Sequence, residues 1–156
     1  MSIPTTIDPV RTEVVVRVDP ERAWEVFTRD PGRWWPVESH SVAAGDDHVP
    51  ERLVLEPRED GEFYELYGGI KRHWARIHTW EPPRRLGYTW RVNPDNPPTE
   101  VEITFTPVDG GTRVEVVHSG WEAYADGGAA ARASYGDEGG WRLVLAAFDH
   151  VVRGVD

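Results

Sequence analysis

The sequence has 156 residues, no cysteine and a formal net charge of −10. The lack of cysteine excludes disulfides and thiolate metal sites. The acidic balance argues against nucleic acid or an anionic membrane surface as partner, because both would repel the chain. No apolar run approaches the roughly 20 residues of a membrane span, and the first residues do not resemble a secretory signal. We therefore expect a single cytoplasmic domain over residues 1–156.

The first predicted elements are a strand and a helix. Residues 10–18 alternate between apolar and polar side chains, which predicts a half-buried strand. Asp19 followed by Pro20 predicts a helix start, because Asp accepts from free backbone N–H groups and Pro suits the first turn. The Asp-Pro-Gly sequence at 30–32 ends this helix. Residues 33–36 then predict either a second, short helical turn or a tight connection.

Residues 38–50 are small and polar, which predicts a loop. This loop is long for a connection, and two interpretations stay open: a lid over a site, or a mobile segment. After the loop, turn residues recur at intervals of about ten residues, as expected for antiparallel strands in sequence order. The predicted strands cover residues 52–57, 62–67, 72–80, 85–92, 100–106 and 112–119.

The chain ends in a predicted amphipathic helix. Asp137 is its candidate N-cap, and Gly154 follows the last apolar residue as a stop signal. Residues 121–136 predict a short helix and an Ala/Gly-rich connection. The apolar side chains of the last helix recur at steps of three and four; they are Trp141, Val144, Leu145, Phe148, Val151 and Val152. The economical arrangement is a curved sheet wrapped around this helix, an α+β fold.

Strand parity predicts which side chains face the helix. Leu86, Tyr88 and Trp90 share one face, which we expect to be buried, and Val101, Ile103 and Phe105 do the same in the next strand.

Strand 72–80 fits no simple alternation. Trp74, His78 and Trp80 share a face with Arg72 and Arg76. Either this face is inward and tolerates two arginines, or a β-bulge switches faces before Trp80. We favour the bulge because a Pro-Pro turn follows directly. Two placements of Arg76 then stay open, at the cavity rim as the partner of an anion or on the surface, and we favour the surface.

Chemistry-bearing motifs are scarce. The six histidines show no metal-ligand spacing, and the sequence has neither a nucleophile elbow nor a phosphate-binding loop. We therefore expect no metal, no cofactor and no catalytic residue. His118 shares parity with the apolar residues of its strand, which places it inward near the last helix. It is either a hydrogen-bonded structural histidine or a polar anchor for a ligand.

The order and spacing of several short stretches resemble a known superfamily. They are residues 19–24, Trp34-Trp35, 80–86, 88–90, 111–114, 118–120 and Gly140-Trp141. The pattern resembles START-like (SRPBCC) helix-grip proteins, and within them bacterial homologues of the heat-shock chaperone ATPase activator domain. The resemblance implies six or seven curved antiparallel strands around a long C-terminal helix, with two short helices after the first strand. It also implies a cavity between sheet and helix.

These features favour a binding protein for a small apolar or aromatic molecule over an enzyme. The first alternative is a polyketide cyclase or dehydratase, with His118, Tyr88 or Glu62 as general acid or base. The second is a chaperone-regulating interaction module, and a homodimer is compatible with each of the three. The residues expected to line the cavity are Trp35, Trp74, His78, Tyr88, Trp90, Phe105, His118, Trp141 and Leu145.

Overall fold

Seven antiparallel strands form one curled sheet in the computed structural model, which describes residues 7–154 apart from the side chains at 125 and 126. The order across the sheet is β1-β7-β6-β5-β4-β3-β2. The strands are β1 (Val10–Val16), β2 (Arg52–Leu55), β3 (Glu62–Tyr67), β4 (Ile70–Glu81), β5 (Arg85–Trp90), β6 (Thr99–Val108) and β7 (Gly111–Ser119).

Three α-helices accompany the sheet: α1 (Pro20–Arg29), α2 (Gly128–Gly136) and α3 (Trp141–Val152). Short 3-10 helices cover Pro31–Arg33, Ala43–Asp46 and Trp121–Gly127. The predicted α+β helix-grip fold is confirmed, because the concave face of the sheet holds the apolar stripe of α3. No helix within residues 7–154 is long and apolar enough to cross a lipid bilayer.

Helix α1 begins where the sequence predicts. The Asp19 side chain accepts a hydrogen bond of 2.8 Å from the backbone N–H of Arg22, and Pro20 occupies the first turn. Ala23, Trp24 and Phe27 are buried against the sheet.

Helix α3 begins differently from the prediction. Its N-cap is Gly140, and Asp137 instead caps the C-terminal end of α2, where its N–H donates to the carbonyl of Ala133. A Cβ atom on Gly140 would lie 2.1 Å from the carbonyl oxygen of Tyr135. The position of the α3 N-cap is therefore set by the close approach of α2 and α3. The residues around Asp137 do not by themselves indicate this contact.

Two β-bulges in β4 decide which of its side chains are buried. The register against β3 shifts at Trp74, and the register against β5 shifts between Ile77 and Thr79, which confirms the predicted bulge before Trp80. The first bulge buries Trp74 and Ala75 together. The second aligns Trp80 with inward-facing Leu86 and leaves Arg76 on the surface, as predicted.

Candidate functional site

A cavity of about 200 Å³ lies between the sheet, α2, the start of α3 and the loop after α1. We call it the indole cavity, because four tryptophans and the ring of Tyr135 form most of its apolar wall. Neighbouring indole centroids are 5.3 to 6.2 Å apart. The four tryptophans are Trp35, Trp74, Trp90 and Trp141.

Each of these indoles is fixed by a hydrogen bond from its own N–H group, as buried tryptophans generally require. Because these donors are occupied inside the protein, the rings present apolar carbon surface to the cavity. The acceptors are the His40 carbonyl for Trp35 (2.8 Å), the Glu65 carboxylate for Trp74 (2.7 Å), the Tyr135 hydroxyl for Trp90 (3.0 Å) and His118 Nδ1 for Trp141 (3.0 Å).

His118 lies behind the indole wall and supports it. Trp141 can only donate, so His118 Nδ1 is the acceptor and Nε2 carries the proton. The Nε2–H group donates to the Thr99 hydroxyl oxygen at 2.7 Å. The Thr99 hydroxyl in turn donates to the carbonyl oxygen of Trp90. Burial lowers the pKa of His118 to about 3, so the ring is neutral. Both ring nitrogens of His118 are hydrogen-bonded within the protein. Of the two interpretations, a structural histidine or a polar anchor for a ligand, these bonds favour the structural one.

The loop after α1 covers the indole cavity, and residues 39–43 are called the lid segment below. Glu65 on β3 holds one end of the lid segment to the sheet. Its carboxylate accepts from the backbone N–H groups of Val42 (2.6 Å) and Ala43 (3.0 Å), besides Trp74. Glu65 is fully buried. Sequence reasoning missed it, although its parity with Phe63 signals a carboxylate on the inner face.

His40 holds the other end of the lid segment. Its Nε2 is hydrogen-bonded to the carbonyl oxygen of Gly139, which precedes α3. That carbonyl only accepts, so Nε2 is the donor, and Nδ1 lies within hydrogen-bond distance of the Ser39 hydroxyl at 2.7 Å. Of the two interpretations of the loop, these contacts favour a lid.

Tyr135 offers the cavity a hydrogen-bond donor. Its oxygen accepts from Trp90, and its own hydrogen has no acceptor among the residues that the structure describes. Burial raises the pKa of Tyr135, so the hydroxyl keeps its proton at neutral pH. Tyr135 and His40 are the ionisable side chains of the described cavity wall. Within residues 7–154, no group of three or more His, Asp or Glu side chains is placed to hold a metal ion.

The remaining predicted residues lie elsewhere. Tyr88, Phe105, Leu145 and His118 are buried but do not line the indole cavity. Phe105 packs against Trp24 and Phe27 instead.

Two predicted roles are wrong because the side chains lie on the outer face of the sheet. The bulge turns His78 outward, where Nε2 is 2.7 Å from Glu100. Glu62, a candidate acid or base, pairs with Lys71 and His73, each at 2.9 Å.

The sequence model described as "Activator of Hsp90 ATPase homolog 1-like protein" matches residues 17–153. Txn09, described as an anthrahydroquino-gamma-pyrone synthase and solved in complex with SUM, is 35% identical with a TM-score of 0.61, over 96% of this chain and 99% of that one. No curated protein matches the sequence.

Two further solved structures share the fold at lower identity. CalC from Micromonospora echinospora, a self-sacrificing resistance protein, is 24% identical with a TM-score of 0.69, over 94% of this chain and 95% of that one. The Aha1 dimer from Colwellia psychrerythraea is 14% identical with a TM-score of 0.66, over 96% of this chain and 99% of that one. With its family model matched along most of its length, this chain belongs to the Activator of Hsp90 ATPase homolog 1-like family.

Proposed function

We propose that this protein binds a small planar aromatic molecule in the indole cavity. The observation that carries the proposal is the set of four indoles whose N–H groups are all engaged within the protein. Such a wall offers stacking and edge contacts to another aromatic ring, and Tyr135 adds one donor for orientation. The 35% identity to a synthase named for an anthrahydroquinone-derived pyrone supports an aromatic ligand.

The cavity volume limits the size of the ligand. An engineered apolar cavity of about 150 Å³ binds benzene, so about 200 Å³ suits one or two fused rings. A larger polycyclic molecule would need the lid segment to move away from Gly139.

We expect 2-naphthol to bind, and a Val144→Phe substitution to weaken binding at least about tenfold, or ~1.4 kcal/mol. Val144 lines the cavity, so the larger ring occupies space that the ligand needs. Isothermal titration calorimetry measures both affinities. Decahydro-2-naphthol, a saturated analogue, should bind more weakly because it cannot stack.

The matched control is Leu143→Phe, the neighbouring position on α3, where the side chain is 39% exposed. This variant should bind 2-naphthol like the unmodified protein. Equal weakening in both variants, or no binding of any aromatic compound, would contradict the proposal.

A second candidate function is enzymatic closure of a γ-pyrone ring, favoured by the name and identity of Txn09. In such a closure a hydroxyl oxygen adds to a carbonyl carbon. The carbonyl oxygen then leaves as water, with one proton from the hydroxyl group and one from the neighbouring carbon. The Tyr135 hydroxyl is the donor available to protonate the departing oxygen.

For this second candidate we expect turnover of 1-(2-hydroxyphenyl)-1,3-butanedione to 2-methylchromone and water. Tyr135→Phe should lower kcat about 100-fold, the ordinary contribution of a positioned acid. Affinity for 2-naphthol should fall much less than kcat, by about tenfold at most, because the change removes one hydrogen bond to the ligand and the acceptor of the Trp90 N–H group. Product formation is followed by ultraviolet absorbance. A rate equal to the uncatalysed rate would exclude this reaction for the unmodified protein while leaving the binding proposal standing.

A further inference from the structure

We propose that the aromatic ligand carries an anionic substituent, a carboxylate in the simplest case, which lies in a basic groove at the mouth of the indole cavity. This inference rests on the proposed function and specifies the class of ligand. The groove has a volume of about 790 Å³ and is bordered by Arg72, Arg91, Lys71 and Val42, among others.

The groove exists because β4 continues beyond the end of β5. The backbone N–H of Arg91 donates to the carbonyl of Trp74 at 2.7 Å, directly after the last residue of β5. From there residues 91–94 form one wall, and residues 70–73 of β4 form the opposite wall. Val42 of the lid segment closes the third side.

The groove and the indole cavity adjoin each other. Val92 lines both of them, and Ser41 of the cavity wall is followed in the chain by Val42 of the groove. An aromatic body in the cavity can therefore extend a short substituent past Val92 into the groove.

The charges of the groove favour an anion there. Lys71 and His73 are already paired with Glu62, each at 2.9 Å. Arg91 donates to the carbonyl oxygens of Asn96 and Pro94, both at 2.8 Å. These bonds fix its guanidinium, which forms no ion pair with a carboxylate of the described residues.

The side chain of Arg72 is exposed and forms neither a hydrogen bond nor an ion pair within residues 7–154. Its five donors are thus available to a ligand. A guanidinium binds a carboxylate through two parallel hydrogen bonds, which a neutral amide cannot accept in the same way. In a protein with a net charge of −10, two arginines that form no ion pair within residues 7–154, in a groove next to the cavity, select for an anionic ligand.

The test compares 4-(2-naphthyl)butanoate with its primary amide, which has the same ring and spacer but no charge. At low ionic strength the butanoate should bind about tenfold more tightly than the amide. Arg72→Gln should remove most of this difference and leave the affinity for the amide unchanged. Added salt should reduce the difference, because the groove is open to solvent.

The control is Arg76→Gln, which makes the same charge change on β4 but on the outer face, and should keep the preference for the butanoate. Equal affinities for the two probes, or equal weakening of both by Arg72→Gln, would overturn the inference while aromatic binding stands. If the butanoate binds Val144→Phe as tightly as the unmodified protein, the groove is an independent anion site and the inference fails. If neither the amide nor 2-naphthol binds, the proposed function itself fails.

Discussion

Replacing Glu65 with alanine is expected to lower the free energy of unfolding by about 3–5 kcal/mol, because it leaves three buried donors unpaired at about 1–3 kcal/mol each. The donors are the N–H groups of Val42 and Ala43 and the indole N–H of Trp74. The same change releases the lid segment from the sheet. Urea denaturation measures the stability, and hydrogen exchange at Val42 and Ala43 should become faster.

The control for this prediction is Glu62→Ala, on the same strand but on the outer face. Glu62 pairs with the half-exposed side chains of Lys71 and His73, so its loss should cost less than about 1 kcal/mol. Glu65→Gln keeps one acceptor oxygen and should give an intermediate loss, which keeps the test informative if the alanine variant does not fold. A loss below 1 kcal/mol for Glu65→Ala would show that the lid segment does not depend on this carboxylate.

The second large effect is a loss of stability in mild acid caused by His118. In the folded protein its pKa is lowered to about 3 by burial, whereas an unfolded histidine titrates near 6.5. As the pH falls below about 6.5, the His118 imidazole binds a proton in the unfolded chain but stays neutral in the folded protein. The free energy of unfolding should therefore fall by up to about 1.4 kcal/mol per pH unit, and be fully retained above pH 6.5.

A His118→Gln variant should lose most of this slope, because glutamine does not titrate. Urea denaturation between pH 7.5 and about 4.5 measures it, a window that lies above the ordinary pKa of carboxylates. His150→Gln, an exposed position on α3, should keep the slope of the unmodified protein. Parallel pH profiles for His118→Gln and the unmodified protein would contradict the burial of a neutral imidazole.

Alternation along single strands could be read from the sequence because it depends only on neighbouring residues. Leu86, Tyr88 and Trp90 are at most 6% exposed, on the inner face that the period of two requires. His118 is inward by the same rule. The family resemblance added the expectation of a cavity between the sheet and α3. The homodimer and the chaperone-regulating role stay predictions.

Bulges that interrupt the two-residue alternation of a strand could be predicted from the sequence only in part. The bulge before Trp80 follows from the conflict between its parity and that of Arg76. The other bulge, at Trp74, leaves no such conflict in the sequence, and the outward turn of His78 depends on pairing with β5. A bulge is a property of two paired strands, so one strand's sequence does not determine it.

By itself, the sequence determined the strands, the apolar stripe of α3 with Trp141, and the inward face of β5 with Trp90. Only the tertiary structure decided that Trp35, Trp74, Trp90 and Trp141 share one cavity, that Glu65 and His40 fasten a lid segment over it, and that Arg72 lines an adjoining groove. Periodicity reports which face of an element is apolar. A site depends on hydrogen bonds and charges between segments far apart in the chain, such as His40 with Gly139, and these arise only when the sheet closes around α3.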